Sequence, residues 1–129
     1  MVRKMEQYKR YVIEIGTGID LHGGDLTKAA RKAVKAAVAS CCLCGIHEIL
    51  GIEDMAKKMK VEVLLGAVEP EAIDLDQIAK EVPFGQVHVK AVTGGLEANG
   101  LHVPSLGEGN KIQIVNAVLT VFIACESSC

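Results

Sequence analysis

Aromatic side chains are scarce here: two Phe, two Tyr and no Trp in 129 residues. A platform on which single-stranded nucleic acid could stack is therefore not expected. The core must be built from Val, Ile, Leu and Ala. An overall basic field is also missing. The formal net charge is −2, so nothing long-ranged draws the chain to nucleic acid. Arg3, Lys4, Lys9 and Arg10 make the first ten residues locally basic, but no apolar h-region follows them. Neither an export signal nor a run long enough to span a bilayer is present. The expectation is a cytoplasmic protein without a nucleic-acid or membrane partner. Five cysteines make an odd count, with Cys41, Cys42 and Cys44 crowded together and Cys125 and Cys129 at the far end. Without export, reduced thiols are expected rather than a disulfide framework.

Half the residues are hydrophobic and about a quarter charged. That balance and length fit one folded domain over 1–129, with residues 1–9 as a flexible or helical extension. Tyr11–Ile15 alternates like a strand, with Tyr11, Ile13 and Ile15 facing one way and Val12 and Glu14 the other. The next helix spans about Asp25 to Ser40. Leu26, Ala30, Ala33, Val34, Ala37, Val38 and Cys41 recur at helical spacing, opposite a wet stripe of Lys28, Arg31, Lys32 and Lys35. Asp25 suits its N-cap and Gly45 its end. A short helix is expected around Glu53–Met59, a strand over Val61–Ala67, a helix over Ile73–Glu81 and a strand over Gln86–Val92. The Gly94-Gly95 and Asn99-Gly100 pairs mark turns, Thr93-Gly94-Gly95 being read as a hairpin turn. Lys111–Ile123 is a long final strand whose alternation weakens after Val115, as a bulge or burial on both faces would cause.

This order predicts an α+β fold: a two-layer sandwich, a mixed sheet of about four strands with two or three helices on one face. The other face would carry Glu14, Glu62, His88 and Lys90. Such a sheet can close on copies of itself, so a homo-oligomer is expected, first a cyclic trimer and next a dimer.

The segment richest in chemistry is Gly16-Thr17-Gly18-Ile19-Asp20-Leu21-His22-Gly23-Gly24. Gly16, Gly18, Gly23 and Gly24 would let the backbone approach a ligand. Asp20 and His22 are two residues apart and share one side of an extended chain. They can act as ligands of a divalent metal (Zn²⁺, or Mg²⁺ or Mn²⁺) or pair as acid and base. The helix starting at Asp25 aims free N–H groups at the segment, which favours an anion. Equally, the glycines can be plain turn geometry, Asp20 a cap and His22 a loop residue. A dinucleotide fingerprint fails, since Leu21 stands where the third glycine belongs. A phosphate-binding P-loop fails for want of Gly-Lys-Ser/Thr.

The pattern Gly-x-Gly-x-Asp-x-His-Gly over Gly16–Gly23 resembles the signature of a small family of conserved hypothetical proteins, the "Lin" family. Length and the strand–signature–helix start are similar too, and the resemblance lends no known activity. The same opening also resembles 2-C-methyl-D-erythritol 2,4-cyclodiphosphate synthase, a trimer whose Asp and His bind metal. That likeness implies a ligand role for Asp20 and His22. This chain departs from it by lacking the later His-Ser-Asp-Gly-Asp segment, so only the local metal geometry carries over. A third ligand would come from His47, His88, His102 or a carboxylate such as Glu14, with His88 preferred.

Three functions follow as expectations. The first is a small oligomeric, metal-dependent enzyme on a polar or anionic small molecule, with Asp20 and His22 catalytic. The second is a non-catalytic metabolite- or anion-binding protein using the same cleft. The third is a thiol or metal sensor using Cys41, Cys42, Cys44 and His47, against the plainer reading of small apolar residues ending an Ala-rich helix. Side chains that converge there would favour the sensor.

Overall fold

A computed structural model of the chain describes residues 7–125, so residues 1–6 and Cys129 lie outside the described residues. The elements run β1 (Gln7–Asp20), α1 (Leu26–Ala39), α2 (Cys44–Glu48), α3 (Met55–Lys58), β2 (Met59–Ala67), a 3-10 turn (Pro70–Ala72), α4 (Leu75–Ala79), β3 (Gln86–Thr93), β4 (Leu96–Asn99) and β5 (Lys111–Cys125). This is an α+β fold with a mixed, five-stranded sheet, ordered β1-β5-β2-β3 with β4 beside β5. None of the described helices is long and apolar enough to cross a membrane.

The last strand is the central one. β5 pairs antiparallel with β1 along nearly its whole length and with β2 over Asn116–Ile123. Where β2 ends, β4 takes over the same edge through Lys111–Ile114. β3 runs parallel to β2. The Gly94-Gly95 link therefore carries the chain from the outer edge across the end of β2, where Gly94 N–H donates to Ala67 O at 2.9 Å. It is not a hairpin turn, because β3 and β4 pair with different strands. β5 alternates without interruption: Val115, Ala117, Leu119, Val121 and Ile123 are buried, while Val118, Thr120 and Phe122 are half-buried. The bulge expected in β5 lies in β1 instead, at Tyr11, between Arg10 and Val12.

β1 is nearly three times as long as expected. Residues 7–9, expected as part of an extension, belong to it, and so do Arg10, Gly16 and Gly18. Its faces are also the reverse of those expected. Val12, Glu14, Gly16, Gly18 and Asp20 face the helices, while Ile13, Ile15 and Ile19 are exposed at 46%, 68% and 41%. The reason is steric. A Cβ on Gly18 would collide with the Ala29 carbonyl, and one on Gly16 with the Ala33 carbonyl and, at 2.7 Å, with Ala37 N. Only the glycine face lets α1 lie so close. The open face of the sheet consequently carries Glu62, His88 and Lys90 together with an apolar row on β1, and Glu14 is not on it.

Asp25 caps α1, its side chain accepting from Lys28 N–H at 3.1 Å. Gly45, expected to end α1, is instead buried within α2, with the Tyr11 hydroxyl against it. Two cross-links bind α4 to α1. Thr27 Oγ1 accepts from Asp74 N–H at 3.0 Å, and Arg31 Nε donates to Glu81 at 2.7 Å. Buried Ile46 and Ile78 add to the core on this face.

Candidate functional site

At the end of the sheet beside the start of α1, three polar side chains stand in one cross-strand row. Asp20 on β1 is opposite Gln113 on β5, and Gln113 is opposite Glu97 on β4. All three take the helix face, which is otherwise mostly apolar or glycine near the core. Asp20 and Gln113 are only 2% and 5% exposed. Buried polar groups cost about 1–3 kcal/mol each when left unpaired, so their partners matter.

Asp20 is satisfied. Its Oδ2 accepts from Asp25 N–H at 2.8 Å and its Oδ1 lies 3.6 Å from Lys28 Nζ. The carboxylate thus fixes the Leu21–Asp25 turn, which Gly23 and Gly24 close with φ of 93° and 63°. Gln113 is only half satisfied. Its Nε2 donates to Glu97 at 2.6 Å, which fixes the amide orientation, because a carboxylate can only accept. The carbonyl Oε1 on the other side is buried without a partner. His22 Nδ1 is in the same condition.

Above this row lies an open cleft of about 430 Å³. Gly23, Gly24, Asp25, Glu69, Glu97, Glu108, Lys111 and Gln113 line it. Its lining therefore holds four carboxylates and one ammonium. Lys111 is itself held by Asn99 Oδ1 at 2.9 Å and lies 3.9 Å from Glu97. Lining of this sign attracts a cation or a hydrogen-bond donor and repels an anion.

The expected site residues separate on this scaffold. Gly23 and Gly24 line the cleft, with His22 in the same turn, while Asp20 is buried beside Gln113 and does not line it. Gly16 and Gly18 are not open to a ligand on their helix-facing side, which α1 fills. His88 pairs with Glu62 on the open face of the sheet, the opposite face from Asp20, so one chain does not bring them to a shared ion. His47 and His102 are exposed on α2 and in the loop after β4. Among the described residues no three His, Cys, Asp or Glu side chains gather around a common point that could hold a metal ion. No hydrogen bond joins Asp20 to His22. Gln113, Glu97, Glu69 and Glu108 were not expected from the sequence. Gln113 carried the one available signal, a lone inward amide in the β-branched run of β5.

The thiols lie elsewhere, past the end of α1. Cys41 is half-buried, and Cys42 and Cys44 are exposed with their sulfurs 3.5 Å apart. α1 ends at Ala39, so these residues are not its last turn. Cys125 is in β5, and nothing is described of its side chain.

A family model described as "Conserved hypothetical protein (Lin0512_fam)" matches residues 10–121. No curated protein matches the chain. Among solved structures, an FtsZ-like protein of unknown function from Nostoc punctiforme is similar. It superposes with a TM-score of 0.83 at 32% sequence identity, covering 94% of this chain and 100% of that one.

Proposed function

We propose that this chain, which belongs to the Lin0512 family of conserved hypothetical proteins, is a non-catalytic binding protein for a small cationic metabolite. The observation that carries this reading is the buried Gln113 carbonyl, left without a donor beneath a cleft lined by Asp25, Glu69, Glu97 and Glu108. A ligand ammonium or guanidinium supplies the missing N–H donor and meets the carboxylates around it. Asp20, already engaged by Asp25 and Lys28, serves as a positioning residue that holds the turn. The acidic lining favours a cation over an anion as the ligand of this cleft.

The uncovered sheet face supports self-association. Ile13, Ile15, Ile19 and Leu64 are exposed together there, and contiguous apolar surface of this kind marks an interface. A flat face packing on a copy of itself is two-fold, which favours a dimer over a trimer.

A second reading, an enzyme on a polar small molecule, has His22 in its favour. Its Nδ1 is buried without a partner two residues from Asp20. In that reading the pair takes a proton or holds a divalent ion.

Calorimetric titration tests the binding proposal. Ammonium- and guanidinium-bearing metabolites are compared with matched carboxylates and phosphates. Binding confined to cations, and lost in Glu97→Gln, is the expected result. Binding confined to anions would overturn it.

A further inference from the structure

We propose that Cys42 and Cys44 form a redox-active dithiol, which a low-molecular-weight disulfide oxidises to an intramolecular disulfide. The inference is independent of the cleft.

Residues two apart in an extended chain hold their side chains too far apart to react. Here Leu43 between them adopts φ −107° and ψ 14°, in the bridge region of backbone space. This turn brings Cys42 Sγ to 3.5 Å from Cys44 Sγ. Both thiols are exposed, so an outside disulfide can reach them. Neither is needed to fill the core.

Their surroundings assign the roles. Hydrogen bonds with the Cys44 backbone N–H and then with the Cys44 thiol stabilise the Cys42 thiolate, holding its pKa below that of an ordinary thiol. Cys44 is pushed the other way, chiefly by its hydrogen bond with Cys42 and by the charge of that neighbour and of Glu48. Cys41 is also raised, by burial first and then by Glu14 and Cys42. One thiol of the three is therefore the favoured nucleophile, and its partner is already within reach.

The exchange balances as follows. The Cys42 thiolate attacks one sulfur of R–S–S–R, expelling RS⁻ and leaving Cys42 joined to SR. Cys44 gives its proton to the expelled thiolate and attacks Cys42 Sγ, expelling the second RS⁻. The protein loses two electrons, and the outside disulfide becomes two thiols.

The test equilibrates the full-length protein with reduced and oxidised glutathione, traps free thiols with iodoacetamide and reads the tryptic peptide by mass. The expected product is a peptide two hydrogens lighter, with Cys42 and Cys44 linked. In the reduced protein, Cys42 should alkylate at pH 7 about tenfold faster than Cys44. Cys44→Ser should stall as a Cys42–glutathione mixed disulfide, and Cys42→Ser should lose both the linkage and the fast alkylation. Two independent glutathione adducts on the wild type, or equal alkylation of the two thiols, would overturn the proposal. Both side chains are exposed, so circular dichroism of the serine variants is expected to match wild type and exclude misfolding.

Discussion

Gly18 on β1 lies directly beneath the carbonyl of Ala29 on α1, so that a single added methyl would occupy the place of that oxygen. Glycine is required there by contact rather than by dihedral angle. The motif that suggests a ligand in sequence is, in its first half, a helix-packing device.

Gly18→Ala is expected to destabilise the fold by about 3 kcal/mol, because the colliding atoms are backbone and cannot rotate away. Gly16→Ala should behave similarly. Urea unfolding followed by circular dichroism measures both. A midpoint unchanged from wild type would refute the packing role.

Asp20→Ala leaves the Asp25 N–H without its acceptor and should cost about 1–3 kcal/mol. Asp20→Asn keeps an acceptor and loses only the attraction of Lys28. That lysine is more than half exposed, so the further loss is expected to stay within about 1 kcal/mol. The same unfolding measurement separates the two variants.

Gln113→Met replaces a half-satisfied amide by an apolar chain of similar length. Without ligand, stability should hold or rise by up to about 1 kcal/mol, since a buried unpaired carbonyl is removed. Glu97 remains open enough to be solvated. Binding of the cationic ligand should be lost. A residue whose removal leaves the fold sound while abolishing binding is kept for function, and thermal melts with and without ligand read both effects.

The rate of Cys42 alkylation should rise with pH at a midpoint below that of an ordinary thiol, near 8.5. Lowering the pKa fills the thiolate at lower pH, so the curve shifts to the acid side. In Cys44→Ala the thiol donor is gone, but the backbone N–H that contributes most remains. The midpoint should then move only part of the way back.

Ile15→Glu changes a side chain that is 68% exposed and should leave the unfolding midpoint within about 0.5 kcal/mol of wild type. If copies pack through the open sheet face, it should convert a dimer into a monomer. Sedimentation equilibrium decides, and an unchanged mass would remove this face from the interface.

Much of the fold could be read from local pattern. α1 is visible because its alanine stripe and lysine stripe keep helical spacing for almost four turns, and Asp25 caps it as expected. β2 and β3 are visible because each presents one apolar face. The faces of β1 were legible only in part. Isoleucines at Ile13, Ile15 and Ile19 suggest a buried row, but the buried row is the one with glycines, and only the nearness of α1 reveals it. β4 is four residues long and flanked by turns, so its pairing with β5 comes from the tertiary path. Of the site, Asp20, Gly23 and Gly24 could be picked out from one continuous segment. Gln113, Glu97, Glu69 and Glu108 come from segments far apart in the chain, and no local spacing joins them.

The central place of β5 has a consequence for biosynthesis. β1 and β2 each find their neighbour in residues 111–125 and do not pair with each other. A nascent chain emerging from the ribosome can form α1 early, but β1, the strand α1 packs on, has no partner strand until β5 is made. Before then β1 offers two unpaired edges and its row of isoleucines to solvent. Chaperone capture during synthesis is therefore expected to concentrate on β1, and to end when β5 slots in beside it.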